Sequence, residues 1–222
     1  MLILSDPSPI PPENTVVHND REERRQRIFD MAAVFVLSIT AVLTAWCGFE
    51  ASKWGGEMSI AFSQASSARV QAVAADGEAR DARQYDLTIW TQWVLAAEDD
   101  DTQLREFIEA RFSPEFAIAF DAWDAGGRTA LGPFVMPEYQ PPGTVEAAEL
   151  GERADAKFAE ALENNQNGDN YTLLTVLFAL VLFLTAMSQR DLPVWAGRAL
   201  LSMAIVVAVV GITIMATFPI RI

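Results

Sequence analysis

The sequence predicts an all-α membrane protein with three transmembrane helices, the first two extended beyond the bilayer into a helical hairpin. Three observations predict this. Residues 31–49, 170–189 and 199–220 contain no charged side chain, and each window is close to the roughly 20 apolar residues a helix needs to cross a bilayer core. The charge is sorted by segment: the 222-residue chain has a net charge of −14, and residues 50–170 hold nine basic against 23 acidic residues. The stretches between the windows are rich in helix formers, with Gly and Pro gathered at a few points.

Residues 1–27 read as a cytoplasmic arm. Pro7, Pro9, Pro11 and Pro12 among polar residues predict an extended or disordered start. The run from Arg21 to Arg27 forms the first helical turns, its arginines meeting anionic headgroups. Residues 28–49 form the first span. Orientation follows Lys and Arg near the spans. Four Arg precede the first span, and Arg190 and Arg198 lie in the short loop 190–198, so both segments belong in the cytoplasm. Residues 50–169 then lie outside, and residues 170–189 and 199–220 form the second and third spans. A cleaved signal sequence is disfavoured, because the 31–49 run exceeds the usual apolar core and lacks a small-x-small site. Cys47 is the only cysteine, which excludes a disulfide within the chain.

No breaker follows the first span at once, so its helix is expected to continue to about Ala97. Gly55-Gly56 and Asp76-Gly77 are the weak points. Two apolar stripes are expected on it: Phe62, Ala65, Val70 and Val73, then Leu87, Trp90, Val94 and Ala97. Asp101 or Thr102 is expected to cap a short helix over 102–112. Pro114 opens the next helix, with Phe116, Phe120 and Trp123 on one face, and Gly126-Gly127 stop it. Residues 128–143 contain four prolines and read as an irregular loop whose Phe134, Met136 and Tyr139 clamp the helices below. With Trp123 they form the contacts of the domain tip. The return helix starts near Thr144 and runs into the second span, with Ala147, Leu150, Ala154, Phe158, Ala161 and Leu162 as its stripe.

Composition and motifs exclude several functions. An acidic chain does not suit nucleic acid, whose phosphates need a Lys/Arg surface. His18 is the only histidine and sits in the arm, so no oriented base serves a nucleophile. A zinc site of His and Cys fails on count, and no glycine-rich phosphate loop is present. No catalytic residue, cofactor or metal ligand is therefore expected. The Glu98–Asp101 acids read as a solvated turn with a capping Asp. Trp90, Trp93 and Trp123 read as core. Trp46, Trp54, Tyr171 and Trp195 read as an interfacial aromatic belt.

Two features point outward from this frame. Glu50 and Lys53 beyond the first span, and Asn165 and Asp169 before the second, fall at similar membrane height; they define a possible polar vestibule for an ion, a headgroup or a neighbouring subunit. Thr40, Thr44 and Cys47 on the first span and Ala204, Ala208 and Gly211 on the third form polar and small lines that allow close helix approach. The small line suits packing of helices or of subunits, and the threonines would line any oligomeric pore.

Several blocks carry a resemblance: Ala45-Trp46 with Glu50 to Glu57; Arg111 to Phe116 with Phe107 and Phe120; Pro133 to Tyr139; and Asn165, Asp169, Tyr171 and Val176 to Ala179. Over about residues 31–219 the chain resembles a family of bacterial three-span integral membrane proteins with a helical extracytoplasmic domain and no assigned activity. The resemblance implies the fold and a place in the bacterial cytoplasmic (inner) membrane, with no reaction or cofactor. The expected role is a non-enzymatic oligomeric scaffold, or an accessory subunit of a larger membrane complex, partnered by the lipid bilayer. The rival expectation is a ligand or cation sensor, or a channel, with output through a partner.

Overall fold

The computed structural model describes residues 13–221, with side chains from residue 23 onward. The prolines of the arm lie outside the described residues. Among the described residues the chain is all-α, without strands. Five helices follow in order: α1 (Glu13–Glu98), α2 (Thr102–Glu109), α3 (Pro114–Ala125), α4 (Thr144–Ser188) and α5 (Val194–Met215). Three of them, α1, α4 and α5, are long and apolar enough to cross a membrane, which is a multi-pass arrangement. α1 begins at Glu13, so residues 13–27 continue its helix; His18 lies on its first turns, its side chain outside the described set. α1 is uninterrupted at Gly55-Gly56 and at Gly77.

The chain divides into two compact units, one of residues 1–56 and 164–222, the other of residues 57–163. The first holds the membrane-length apolar segments. On α1 four of its buried residues, Ala33, Thr40, Cys47 and Trp54, follow a seven-residue spacing of the kind that keeps one face of a helix on its neighbours. Cys47 and Trp54 pack with Tyr171, Leu174 and Phe178 of α4, and with Met215 and Phe218 at the end of α5. Val181, Leu184 and Ala204 form a second cluster with Val36 and Val207. The α4–α5 contact depends on small residues: a Cβ at Gly211 would come within 2.9 Å of the Phe178 ring. α5 starts five residues before the charge-free window and stops at Met215. Pro193 precedes its first turn, while Arg198 is long enough to keep its charge in water.

In the second unit, the buried residues of α1 between residues 57 and 80 are Ala61, Ala65, Ala68, Ala72 and Ala75. These, and not the valines, make the packed face: Val70 and Val73 are 68% and 60% exposed. The expected stripes on α1 are thus corrected, because alanine lets two helix backbones close to short range and valine does not. On α4, Leu150, Ala154 and Ala161 are buried while Phe158 and Leu162 stay exposed. Phe158 instead meets Phe62 edge-on at 5.4 Å.

The rest of this unit is built around aromatic rings. Asp101 caps α2 by accepting from the Leu104 N–H at 2.9 Å, and Ser113 caps α3 by accepting from Phe116 at 3.2 Å. Phe116, Phe120 and Trp123 are buried, as their helical spacing predicts. Trp90 stacks on Trp93 at 5.0 Å and meets Trp123 edge-on at 5.3 Å. Two of the indole N–H groups donate within the unit, Trp93 to Glu109 at 2.7 Å and Trp123 to the Ala130 carbonyl at 2.9 Å. Each ring pair adds about 0.5–1.5 kcal/mol to the burial of its area.

Candidate functional site

The sequence places polar groups at two points in otherwise apolar registers, and the structure buries both. On α1, Glu50 falls seven residues after the half-buried Leu43 and four before Trp54. It is fully buried. Its Oε2 accepts from the Arg221 backbone N–H at 3.1 Å, and its Oε1 has no hydrogen-bond partner. The Trp54 indole N–H is buried and unpartnered too, with the Arg221 guanidinium 5.1 Å from its ring. The Tyr171 hydroxyl donates to the Pro219 carbonyl at 3.0 Å, and its ring meets Phe218 edge-on at 5.7 Å. The chain beyond α5 is thereby tied to α1 and α4 through a buried carboxylate and a phenol.

Of the four expected vestibule residues, only Glu50 is part of this centre. Lys53, Asn165 and Asp169 are exposed. Asn165 donates to Asp169 at 3.1 Å one turn on, a local pair on a solvated face. The buried amide is Asn164, whose Nδ2 has no partner. It stands seven residues before buried Tyr171, a register that would have revealed it. Trp54 and Tyr171 are core residues, not members of an aromatic belt; Trp46 and Trp195 remain exposed.

The second centre lies in residues 57–163 and was not expected. Asp86 stands seven residues before buried Trp93 on α1 and is itself buried. The buried Tyr139 hydroxyl donates to its Oδ2 at 2.9 Å, while Oδ1 has no partner. Burial, and then the Asp86 carboxylate, push the Tyr139 phenol well above its ordinary value. A groove of about 220 Å³ beside Tyr139 is lined by Asp76, Arg80, Arg83 and Thr144.

The remaining expected sites resolve into packing. Phe134 and Met136 are half-buried against Phe116 and Trp90, so the loop clamps its own helices. These residues pack with Trp123 and Tyr139 inside the unit. Ala204 is fully buried against Val181 and Leu184, Ala208 is half-buried in the same cluster, and Gly211 meets Phe178. The small line on α5 serves helix packing within the chain. Thr40 and Cys47 are buried in the same bundle. Among the described residues, no group of three His, Cys, Asp or Glu side chains is placed to hold a metal ion.

This fold and these centres define a helical multi-pass protein whose buried polar groups fasten segments together. Compared with family models, with curated proteins and with solved structures, the chain matches none of them, so the resemblance drawn from the Trp46–Glu57 and Pro133–Tyr139 blocks has no counterpart there.

Proposed function

We propose that the protein is a non-enzymatic subunit of the bacterial cytoplasmic membrane that contacts a partner protein through residues 57–163. The arginines flanking the spans support a cytoplasmic N-terminus, with residues 57–163 on the far side. One observation carries the reading. A largely apolar groove of about 310 Å³, lined by Phe62, Ala65, Val70 and Phe158 with Ser66 and Arg69, opens on a unit that belongs in water. Exposed apolar ground of this kind marks an interaction site. The Arg69–Asp155 ion pair at 2.8 Å lies beside it.

The same unit carries eight basic against 21 acidic residues. Two copies would repel each other, which favours an accessory subunit with a basic-rimmed partner over a homo-oligomeric scaffold. The test is the size of the native complex in mild detergent. Wild type is expected to migrate above the monomer, and Val70→Glu, at a position 68% exposed, to fall to monomer size with unchanged melting. A wild-type monomer would overturn the reading. A channel or cation-sensing reading draws only on the Glu50 centre; conductance in reconstituted bilayers altered by Glu50→Gln would favour it.

A further inference from the structure

Where α4 turns into α5, residues 26–30 of α1 and residues 188–198 enclose a polar cavity of about 230 Å³. The charged side chains that line it come in both signs: Asp30 and Asp191, Arg190 and Arg198. Gln26 donates to Asp30 at 3.2 Å and holds that carboxylate in place. α5 opens there without a side-chain cap, and its residues Val194 and Gly197 line the cavity, so the positive end of the helix dipole adds to the two arginines. The corner itself is tight. A Cβ at Gly197 would come 3.1 Å from the Ser188 carbonyl.

Met31 begins the first charge-free window, so the cavity lies at headgroup height. Two apolar grooves adjoin it. One, of about 340 Å³, is lined by Ile28, Phe29, Ala32 and Leu201 with Arg25 at its rim, and shares Phe29 and Arg198 with the cavity. The other, of about 460 Å³, is lined by Met31, Val34, Phe35 and Ser38 and shares Asp30. The polar pocket thus adjoins two shallow, largely apolar surfaces against which acyl chains can lie.

We propose that this site binds one phospholipid whose headgroup carries both a phosphate and a primary ammonium. Arg190 and Arg198 take the phosphate, Asp30 and Asp191 take the ammonium, and one acyl chain occupies each groove. An anionic headgroup would leave both carboxylates unmatched. A trimethylated ammonium has no N–H to donate to them.

The test uses the full-length protein, stripped of lipid in detergent and melted after adding back one lipid at a time. Phosphatidylethanolamine is expected to raise the melting temperature more than phosphatidylglycerol or phosphatidylcholine of the same chains. Soluble phosphoethanolamine is expected to leave it unchanged. Asp30→Asn with Asp191→Asn, isosteric changes at positions open to solvent, should remove the advantage of the ethanolamine lipid and spare the response to phosphatidylglycerol; Arg198→Gln should weaken both. Native mass spectrometry should count one retained lipid per chain. Equal shifts from all three lipids, or an ethanolamine advantage that survives the double Asn variant, would overturn the proposal. A shift produced by phosphoethanolamine alone would overturn the two-groove part of it.

Discussion

The Tyr139 hydroxyl donates a hydrogen bond to Asp86 Oδ2 at 2.9 Å, and both side chains are buried. The bond joins the proline-rich loop to α1. Because Asp86 Oδ1 has no partner, losing the phenol would leave a buried carboxylate without its donor. Tyr139→Phe is therefore expected to destabilise residues 57–163 by about 2–3 kcal/mol, the range for a hydrogen bond to a charged group whose loss strands it. Denaturation followed by the fluorescence of the Trp90–Trp93–Trp123 cluster reads this directly. A loss indistinguishable from zero would mean that the bond contributes nothing net.

The same pair sets a pH dependence at the alkaline end. Burial, then the neighbouring carboxylate, raise the Tyr139 phenol above its ordinary value of 10.0. The folded state keeps its proton where the unfolded chain has lost it. A raised folded value contributes stability fully present below the unfolded value and lost as pH rises past it. Melting of this unit should hold steady as pH approaches 10 and then fall. In Tyr139→Phe that part of the decline should vanish. An identical slope in both proteins would exclude Tyr139 as its source.

Gly143 and Gly127 both hold positive φ, +84° and +70°, yet they should respond differently to a side chain. A Cβ at Gly127 would meet nothing within 4 Å, whereas one at Gly143 would lie 2.3 Å from the Ala75 carbonyl oxygen. Gly127→Ala carries only the left-handed backbone cost, about 1 kcal/mol. Gly143→Ala adds a backbone clash that must displace the start of α4 from α1. It is expected to lower the melting temperature severalfold more than its counterpart, and comparable shifts would show that α4 yields freely at Thr144.

In the apolar bundle, Gly211 of α5 packs directly against the Phe178 ring of α4. Gly211→Leu has no room against the buried Phe178 ring and should cost about 1–3 kcal/mol or more through overpacking. Ala208→Leu, one turn away and half-buried, should cost less. Thermal melting in detergent separates the two; equal losses would place the tight contact elsewhere.

The three long apolar helices, the cap at Asp101 (one of the two positions expected), the Pro114 helix start and the Phe116–Phe120–Trp123 face were legible in the sequence because each has a local cause. A cap needs only a side-chain oxygen and the next turn; a span needs only an unbroken apolar run. The partner face of α1 was not legible in the same way. Helical spacing selected the bulkiest apolar residues, Val70 and Val73, whereas packing two long helices closely selects the smallest, Ala68 and Ala72. Asp86 and Asn164 were missed for a related cause. Each stands seven residues before a buried aromatic, Trp93 and Tyr171, and their burial follows from register, not from hydrophobicity. Asn165 and Asp169 drew notice as a polar cluster, but they sit one helical step round from the buried Asn164.

That contrast between alanine and valine on α1 yields a direct test of which face is packed. Ala68 is 5% exposed and Val70 is 68% exposed, two positions apart on the same helix. Ala68→Leu adds three carbons where the neighbouring backbone already lies close, and overpacking of this kind costs about 1–3 kcal/mol. Val70→Ser removes apolar surface from solvent and should change stability by no more than about 0.5 kcal/mol. If the valine stripe were the packed face, the ranking would reverse: Val70→Ser would bury an unpartnered hydroxyl and open a cavity, and Ala68→Leu would be silent. Urea denaturation of the two variants, read through the same tryptophan cluster, distinguishes the faces with one measurement each. The expected outcome is a lowered midpoint for Ala68→Leu and an unshifted one for Val70→Ser.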